Sequence, residues 1–395
     1  MIFSQRLISL LLLLLVPAVP AAAAVFRVNS DQDAPDLEPG DGLCVAYLTV
    51  APPYVLAHCT LRAAIQEANA LPGGDEIRLG PGTFRMDITG SDEDEARSGD
   101  YDIRDSLKII GAGADKTFID ADHRDRILDI VDPRITVDIS GVSLVNGDLS
   151  HSTESLPAGG AIRNRGALII NDSVIADNIA STGGAVANVN GADLQVTGST
   201  ISGNHALAGA GLVNDGNATL INTTVSTNQA RGNAAIGGGI DNRGSLSLIQ
   251  STVAENRAPT AGGIKNNGIL TLLNSLLADN RNRNCTTESQ ITSRGHNLDS
   301  DGTCLAKAAE GDIRNRDPLL APLRDNGGST PTHALPYNSP AVNRGATLVH
   351  IPFDQRGHDR SLDAAWDIGA FEASLSPVPL LTPLLLGGDS PITLW

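Results

Sequence analysis

Between residues 159 and 280 the apolar and polar positions recur in five aligned segments: Gly159–Asn178, Gly183–Asn204, Gly209–Asn228, Gly237–Asn256 and Gly262–Asn280. Each opens on small residues, then an aliphatic, one variable residue and an Asn. That Asn forms the column Asn164, Asn188, Asn214, Asn242 and Asn266, and a second column, Asn178, Asn204, Asn228, Asn256 and Asn280, closes the segments. Between the columns apolar residues alternate with a period of two, as in a strand with one buried face. One apolar column is Leu168, Leu194, Ala218, Leu246 and Leu270; the next is Ile170, Val196, Leu220, Leu248 and Leu272. After these come Ser173, Ser199, Thr223, Ser251 and Ser275, then Ile175, Ile201, Val225, Val253 and Leu277.

A repeat of roughly 24–28 residues made of short strands, with no helical half, cannot bury its apolar face alone. It buries that face by stacking on its neighbours. The pattern predicts an all-β, right-handed parallel β-helix of three-strand coils, in which like residues lie above one another at about 4.8 Å. Stacked Asn side chains can bond to the Asn above and below, so the Asn and Ser/Thr columns are expected to be structural ladders. Leucine-rich repeats have a similar period but need a helix in each repeat, and a propeller blade is too long.

Upstream the same alternation continues irregularly, through Ile77/Leu79, Phe84/Met86/Ile88, Leu107/Ile109 and Val137/Ile139. Before it one short helix is expected. Thr60 can cap it. Leu61, Ala64, Ile65 and Ala68 share a face, and Pro72-Gly73-Gly74 ends it. Such a helix would cover the open end of the solenoid. The expected organisation is a signal peptide over 1–24, an N-terminal cap over 25–74, coils over 75–283, degenerate coils and a cap over 284–373, and a tail over 374–395.

Composition agrees. Apolar residues make up 41% of the chain but aromatics only 3%, so the core must be thin and aliphatic. The net charge of −17, with Lys only at 108, 116, 265 and 307, argues against nucleic acid as a partner. Arg6, the apolar run Ile8–Val16 and the small residues Ala21–Ala24 read as a secretory signal, leaving no stable membrane span in the mature chain. Four cysteines allow three pairings; short loop closure favours Cys44–Cys59 and Cys285–Cys304, each worth roughly 3 kcal/mol in the chain-entropy account.

Several stretches resemble a known family. Cys59-Thr60-Leu61-Arg62-Ala63-Ala64-Ile65-Gln66-Glu67-Ala68-Asn69 is similar to the CSLREA motif of bacterial surface proteins, with Thr60 in place of Ser and Ala63 in place of Glu. Asp325-Asn326-Gly327-Gly328, Asp354-Gln355-Arg356-Gly357 and Asp367-Ile368-Gly369-Ala370-Phe371-Glu372 resemble the choice-of-anchor Q class of β-helix proteins. The resemblance implies export and a pectate-lyase-like solenoid, and carries no catalytic residues. The tail, broken by Pro383 and without a following basic residue, reads as a degenerate sorting signal.

Candidate chemistry is sparse. Stacking places Asp241 one strand spacing from Lys265, and Asp215 near Arg243. That cluster could neutralise a sugar carboxylate and supply a base for polysaccharide lysis, or it could simply pair charges between neighbouring strands. A hydrolase needs two well-separated carboxylates, and the regular repeats offer no convincing pair. Asp92, Asp94 and Asp100 are calcium candidates, although they lack the spacing of a dedicated loop; no other cofactor is expected. The expected function is an exported, non-enzymatic, monomeric solenoid that binds polysaccharide or a cell-surface component. The alternative is an extracellular lyase or hydrolase of acidic polysaccharide.

Overall fold

The computed structural model describes residues 23–51, 54–90, 93–362 and 365–373. Residues 1–22 of the expected signal, the tail from 374 and Asp92 lie outside the described residues. The chain is a right-handed parallel β-helix with three walls. Wall one has ten strands, from Val25–Arg27 to Ile291–Ser293; wall two has ten, from Gly82–Arg85 to Ile313–Arg314; wall three has eight, from Tyr101–Ile103 to Cys285–Thr287. In one regular coil the chain runs from wall three (Ile162–Asn164) to wall one (Ala167–Asn171) to wall two (Val174–Ala176), then back to wall three at Val186–Asn188.

The registers join like to like. Leu168, Leu194, Ala218, Leu246 and Leu270 are successive partners, and all are buried in one continuous core. Asn164 Nδ2 donates to Asn188 Oδ1 at 2.7 Å, and the relay continues through Asn214, Asn242 and Asn266 at 2.8, 2.8 and 2.7 Å. The second Asn column relays likewise from Asn178 to Asn280 at 2.9–3.0 Å. Each amide there also accepts a backbone N–H from the preceding layer, as Asn204 Oδ1 does from Asn178 N. Such ladders answer the polar groups that a sharp corner would otherwise leave buried and unpaired. The left-handed corner conformation falls one residue earlier, at Asp177, Gly203, Thr227, Glu255 and Asp279, each with φ between 55° and 69°.

Helix α1, Leu61–Ala70, has Thr60 as its N-cap, with Thr60 Oγ1 accepting from Ala63 N. Leu61, Ala64, Ile65 and Ala68 close the end of the core. Its polar face is buried too, because residues 29–46 wrap around it: Arg62 and Glu67 have no exposed surface. A two-stranded antiparallel hairpin, Tyr47–Ala51 with Tyr54–His58, projects from this cap; it was not expected from the pattern. Both disulfides form, Cys44–Cys59 and Cys285–Cys304. The second lies at the other end of the core, with Leu305.

Beyond residue 314 the chain turns back along the outer face of wall two. Thr200, Thr224 and Thr252, stacked on that face, bond there to Pro331 O, Gln355 Oε1 and Ala370 N. Asp354 holds this strap together by accepting from Arg356, His358 N and Glu372 N. Gln355 bridges it to the wall through Thr200 and Thr224. The motifs at 354–357 and 367–372 are thus the fasteners of the strap. A second small core, including Leu276, Leu298, Leu335 and Ile368, fills the seam.

Candidate functional site

Wall three places the candidate charges as pairs. Asp241 is the register partner of Lys265, but Lys265 Nζ turns to Glu288 Oε1 at 2.6 Å. Arg243 holds Asp241 at 2.6 Å and approaches Asp215 at 3.6 Å. Asp241 is fully buried; burial raises its carboxyl above the usual range, against the pull of Arg243. The row joins Arg243 to Asp241 and Asp215 and Lys265 to Glu288, and leaves Asp241 Oδ1 buried without a hydrogen-bond partner.

A denser polar assembly lies at the N-terminal end of the same wall. Asp102, Asp129 and Arg163 are successive outward residues. Asp129 is buried, and Arg163, Arg165 and Arg126 converge on it, the last two at 2.8 and 3.6 Å. Arg126 also binds Asp100 at 2.7 Å and Glu154 at 3.0 Å. Burial opposes ionisation of Asp129, but the Arg163 hydrogen bond and the charges of Arg126, Arg163 and Arg165 hold it below the usual range. Asp100 and Asp102 go the other way. Burial, offset in part by Arg126, pushes Asp100 up to about 7. Burial and the neighbouring Asp100 push Asp102 up to about 8. The assembly therefore carries more carboxylate than its arginines neutralise.

Of the calcium candidates, Asp94 joins this assembly: one oxygen each from Asp94, Asp102 and Asp129 lie within 4.8 Å of one another. Asp100 instead pairs with Arg126. Hard carboxylate oxygens suit calcium. Asp129 is shared with three guanidiniums, so Asp94 and Asp102 are the freer donors.

The loop that carries Asp94 is set by helix α1. Ala96 adopts a left-handed φ of 54° while fully buried, a conformation that costs a non-glycine residue of order 1 kcal/mol or more. It is pinned from both sides. Its carbonyl accepts from Arg62 Nη1 at 3.0 Å and Gln66 Nε2 at 2.9 Å, and its N–H donates to Asp102 Oδ2 at 2.9 Å. Arg62 is itself clamped by Asp33 at 2.6 Å and lies over the Tyr101 ring at 4.7 Å. Asn69 Nδ2 donates to Asp102 O at 2.7 Å.

Beside this loop an open cleft of about 740 Å³ is lined by Glu95, Arg97, Arg104, Asp105, Asp132 and Arg134, with the end of α1 as one rim. An adjoining hollow of about 940 Å³ shares its arginines and reaches Asp94. Arg104 is 3.6 Å from Glu95, Arg97 also pairs with Glu95, and Arg134 grips Asp132. These pairs are solvent-accessible and weak. Asp129 and Arg126 escaped the sequence reading because these early coils are of unequal length, so no column could be drawn through them; Arg163 and Arg165 flank the first ladder Asn and Asp102 lies in the acidic run, but nothing in the pattern joined them to Asp129.

No family model matches the chain, and no curated protein matches it in sequence. Two solved structures align over most of its length. Pectin methylesterase PemA from Erwinia chrysanthemi is 12% identical, with 82% of this chain and 87% of that one covered at a TM-score of 0.35. Pectate lyase Pel9A is 13% identical, with 89% and 97% covered at a TM-score of 0.37. The fold assignment rests on the three parallel walls themselves.

Proposed function

We propose that this chain is an exported, carbohydrate-binding solenoid related to the choice-of-anchor Q surface proteins, whose N-terminal cleft takes acidic sugar residues. One observation carries the reading: three solvent-accessible arginines, Arg97, Arg104 and Arg134, line a single cleft beside a buried surplus of carboxylate. A sugar carboxylate can replace Glu95 or Asp132 on those guanidiniums, forming the bidentate contact that arginine favours. Calcium, held by Asp94 and Asp102 with Asp129 as a third donor, would relieve the carboxylate surplus and bridge to the same sugar. The two disulfides support a life outside the cytoplasm.

Binding is preferred to lysis because Arg126, Arg163 and Arg165, the guanidiniums next to the carboxylates, are committed to Asp129, and this reading assigns Arg97, Arg104 and Arg134 to the sugar carboxylate. A lyase needs a base free to take a carbon-bound proton. The test is titration of the purified chain with uronic-acid oligosaccharides, with and without calcium, while absorbance is followed for unsaturated products. Calcium-enhanced binding without product is expected, and accumulation of unsaturated product would establish the lyase instead.

A further inference from the structure

We infer that a second anion-binding site, specific for a polymer with regularly spaced carboxylates, lies on the corner between walls two and three, where Arg231, Arg257 and Arg281 edge a groove of about 420 Å³. The inference shares the acidic-glycan reading above but uses none of the cleft residues.

Just after the second Asn column the chain forms one more parallel ladder, outside the core. Ile179 bridges to His205, Gln229 to Arg257, and Arg257 to Arg281; His205–Ala206 pairs with Gln229–Ala230. The residue that follows each ladder Asn is therefore Ile179, His205, Gln229, Arg257 and Arg281 along the axis, turning from apolar to cationic. The residue two further on contributes Arg231 and Arg283. All four arginines are exposed.

What sets them apart is that they lie together on one corner. The chain carries 45 acidic residues against 28 Lys and Arg, and on wall three Asp129 is the register partner of Arg163 and Asp241 of Lys265. Among the described residues no carboxylate lies within ion-pairing distance of Arg231, Arg257, Arg281 or Arg283, in a chain that is acidic as a whole. Arg231 reaches only Gln229 Oε1 and His205 Nε2, each at 3.2 Å. Arg257 and Arg281 are register partners, so like charges face each other at one strand spacing, an arrangement that destabilises a sheet.

The groove fits a chain of sugars. Its floor is small and apolar, built from Ala230 and Ala258 over Ala235, and no aromatic lines it, so it offers no stacking platform for nucleic-acid bases. The arginines recur at the strand spacing of about 4.8 Å. A polymer with one carboxylate per sugar ring, lying parallel to the solenoid axis, meets one guanidinium per coil. A methyl-esterified polymer keeps its shape but loses that interaction.

The experiment titrates the Arg97→Ala/Arg104→Ala chain with de-esterified oligogalacturonate in EDTA, so that neither the cleft arginines nor calcium at the cleft contributes. The controls are the methyl-esterified oligomer and a DNA duplex at equal salt. Arg257→Ala/Arg281→Ala is expected to weaken binding about tenfold or more, and Arg257→Lys/Arg281→Lys much less, because charge survives without the bidentate fork. The Ala variant should melt no lower than the parent, since it removes a repulsion. Affinity unchanged in the Ala variant, equal affinity for the ester, or tighter binding of DNA would each overturn the inference. Failure of this site with retained, calcium-dependent binding that Arg97→Ala/Arg104→Ala abolishes would sink the corner site alone and leave the cleft standing.

Discussion

The regular coils from 159 to 280 and the N-terminal coils from 93 to 165 share walls and core, yet handle buried polarity in opposite ways. In the regular coils one layer supplies the partner of the next. Asn214 accepts from Asn188 and donates to Asn242, and the same two contacts repeat along the column. In the N-terminal coils no such repetition exists. Asp129 gathers three arginines, Asp100 shares one of them, and the Asp102 carboxyl accepts from the N–H of Ala96. A uniform ladder is stable because every member is satisfied. An uneven cluster that keeps perturbed carboxyl groups buried is the better place to look for a ligand, since such groups gather at functional sites.

The largest expected effect tests whether helix α1 holds the uneven region together. Arg62 is fully buried and serves Asp33 and the carbonyls of Ala96 and Gly99 at once. Arg62→Met should cost about 3–5 kcal/mol, the usual penalty for leaving a buried charge without its partner. It should also release the 93–100 loop, visible as faster amide exchange there. A loss below about 1 kcal/mol, with the loop still protected, would mean that the motif on α1 does not organise the site. The corresponding change in the regular coils, Asn214→Ala, should cost about 1–3 kcal/mol by leaving Asn242 Oδ1 without its donor. Its damage should stay within neighbouring layers, because each layer touches only the next. Denaturant melts of the two variants side by side give the ordering.

How much of this was legible in the sequence follows the same division. The column from Leu168 to Leu270 and both Asn columns could be aligned by eye, because equal-length coils turn a three-dimensional stack into a one-dimensional period. Thr60 and the apolar face of α1 were equally plain, since a cap and a helical face are local signals. The polar face of α1 was not, because Arg62 and Gln66 find their partners some thirty residues away, at Asp33 and Ala96. Asp129, and its place beside Asp102, were hidden by unequal coil lengths. That a segment more than a hundred residues later would cover the threonine column at 200, 224 and 252 left no periodic trace.

A smaller effect, and one that changes with pH, comes from Asp102. Its carboxyl is raised to about 8, by burial first and Asp100 second, against about 3.9 in an unfolded chain. The folded chain then keeps a proton that the unfolded chain releases, so its stability is full below about pH 4 and declines as pH rises toward 8. Asp102→Asn, neutral throughout, should flatten that decline and be the more stable protein at pH 8 by about 1 kcal/mol or more, with the gap closing near pH 4. Calcium should raise the melting temperature of the parent at pH 8 and leave the variant unmoved. Thermal melts from pH 4 to 9 decide it; a gap that widens toward low pH has the wrong sign for this account.

The smallest effect belongs to the regular coils, and it asks whether their charge column does anything beyond pairing. Lys265 bonds to Glu288, which is largely exposed, and such pairs contribute about 0–1 kcal/mol. Lys265→Met keeps the stem that packs on the wall and removes only the ammonium. It also frees Asp241 of a neighbouring positive charge, but Asp241 keeps its 2.6 Å contact with Arg243. Stability should therefore fall by less than about 1 kcal/mol, and glycan affinity should not change. If the same substitution instead lowered affinity severalfold in the calorimeter, the column would be a ligand surface after all. The division between structural repeats and a functional N-terminal end would then have been drawn in the wrong place.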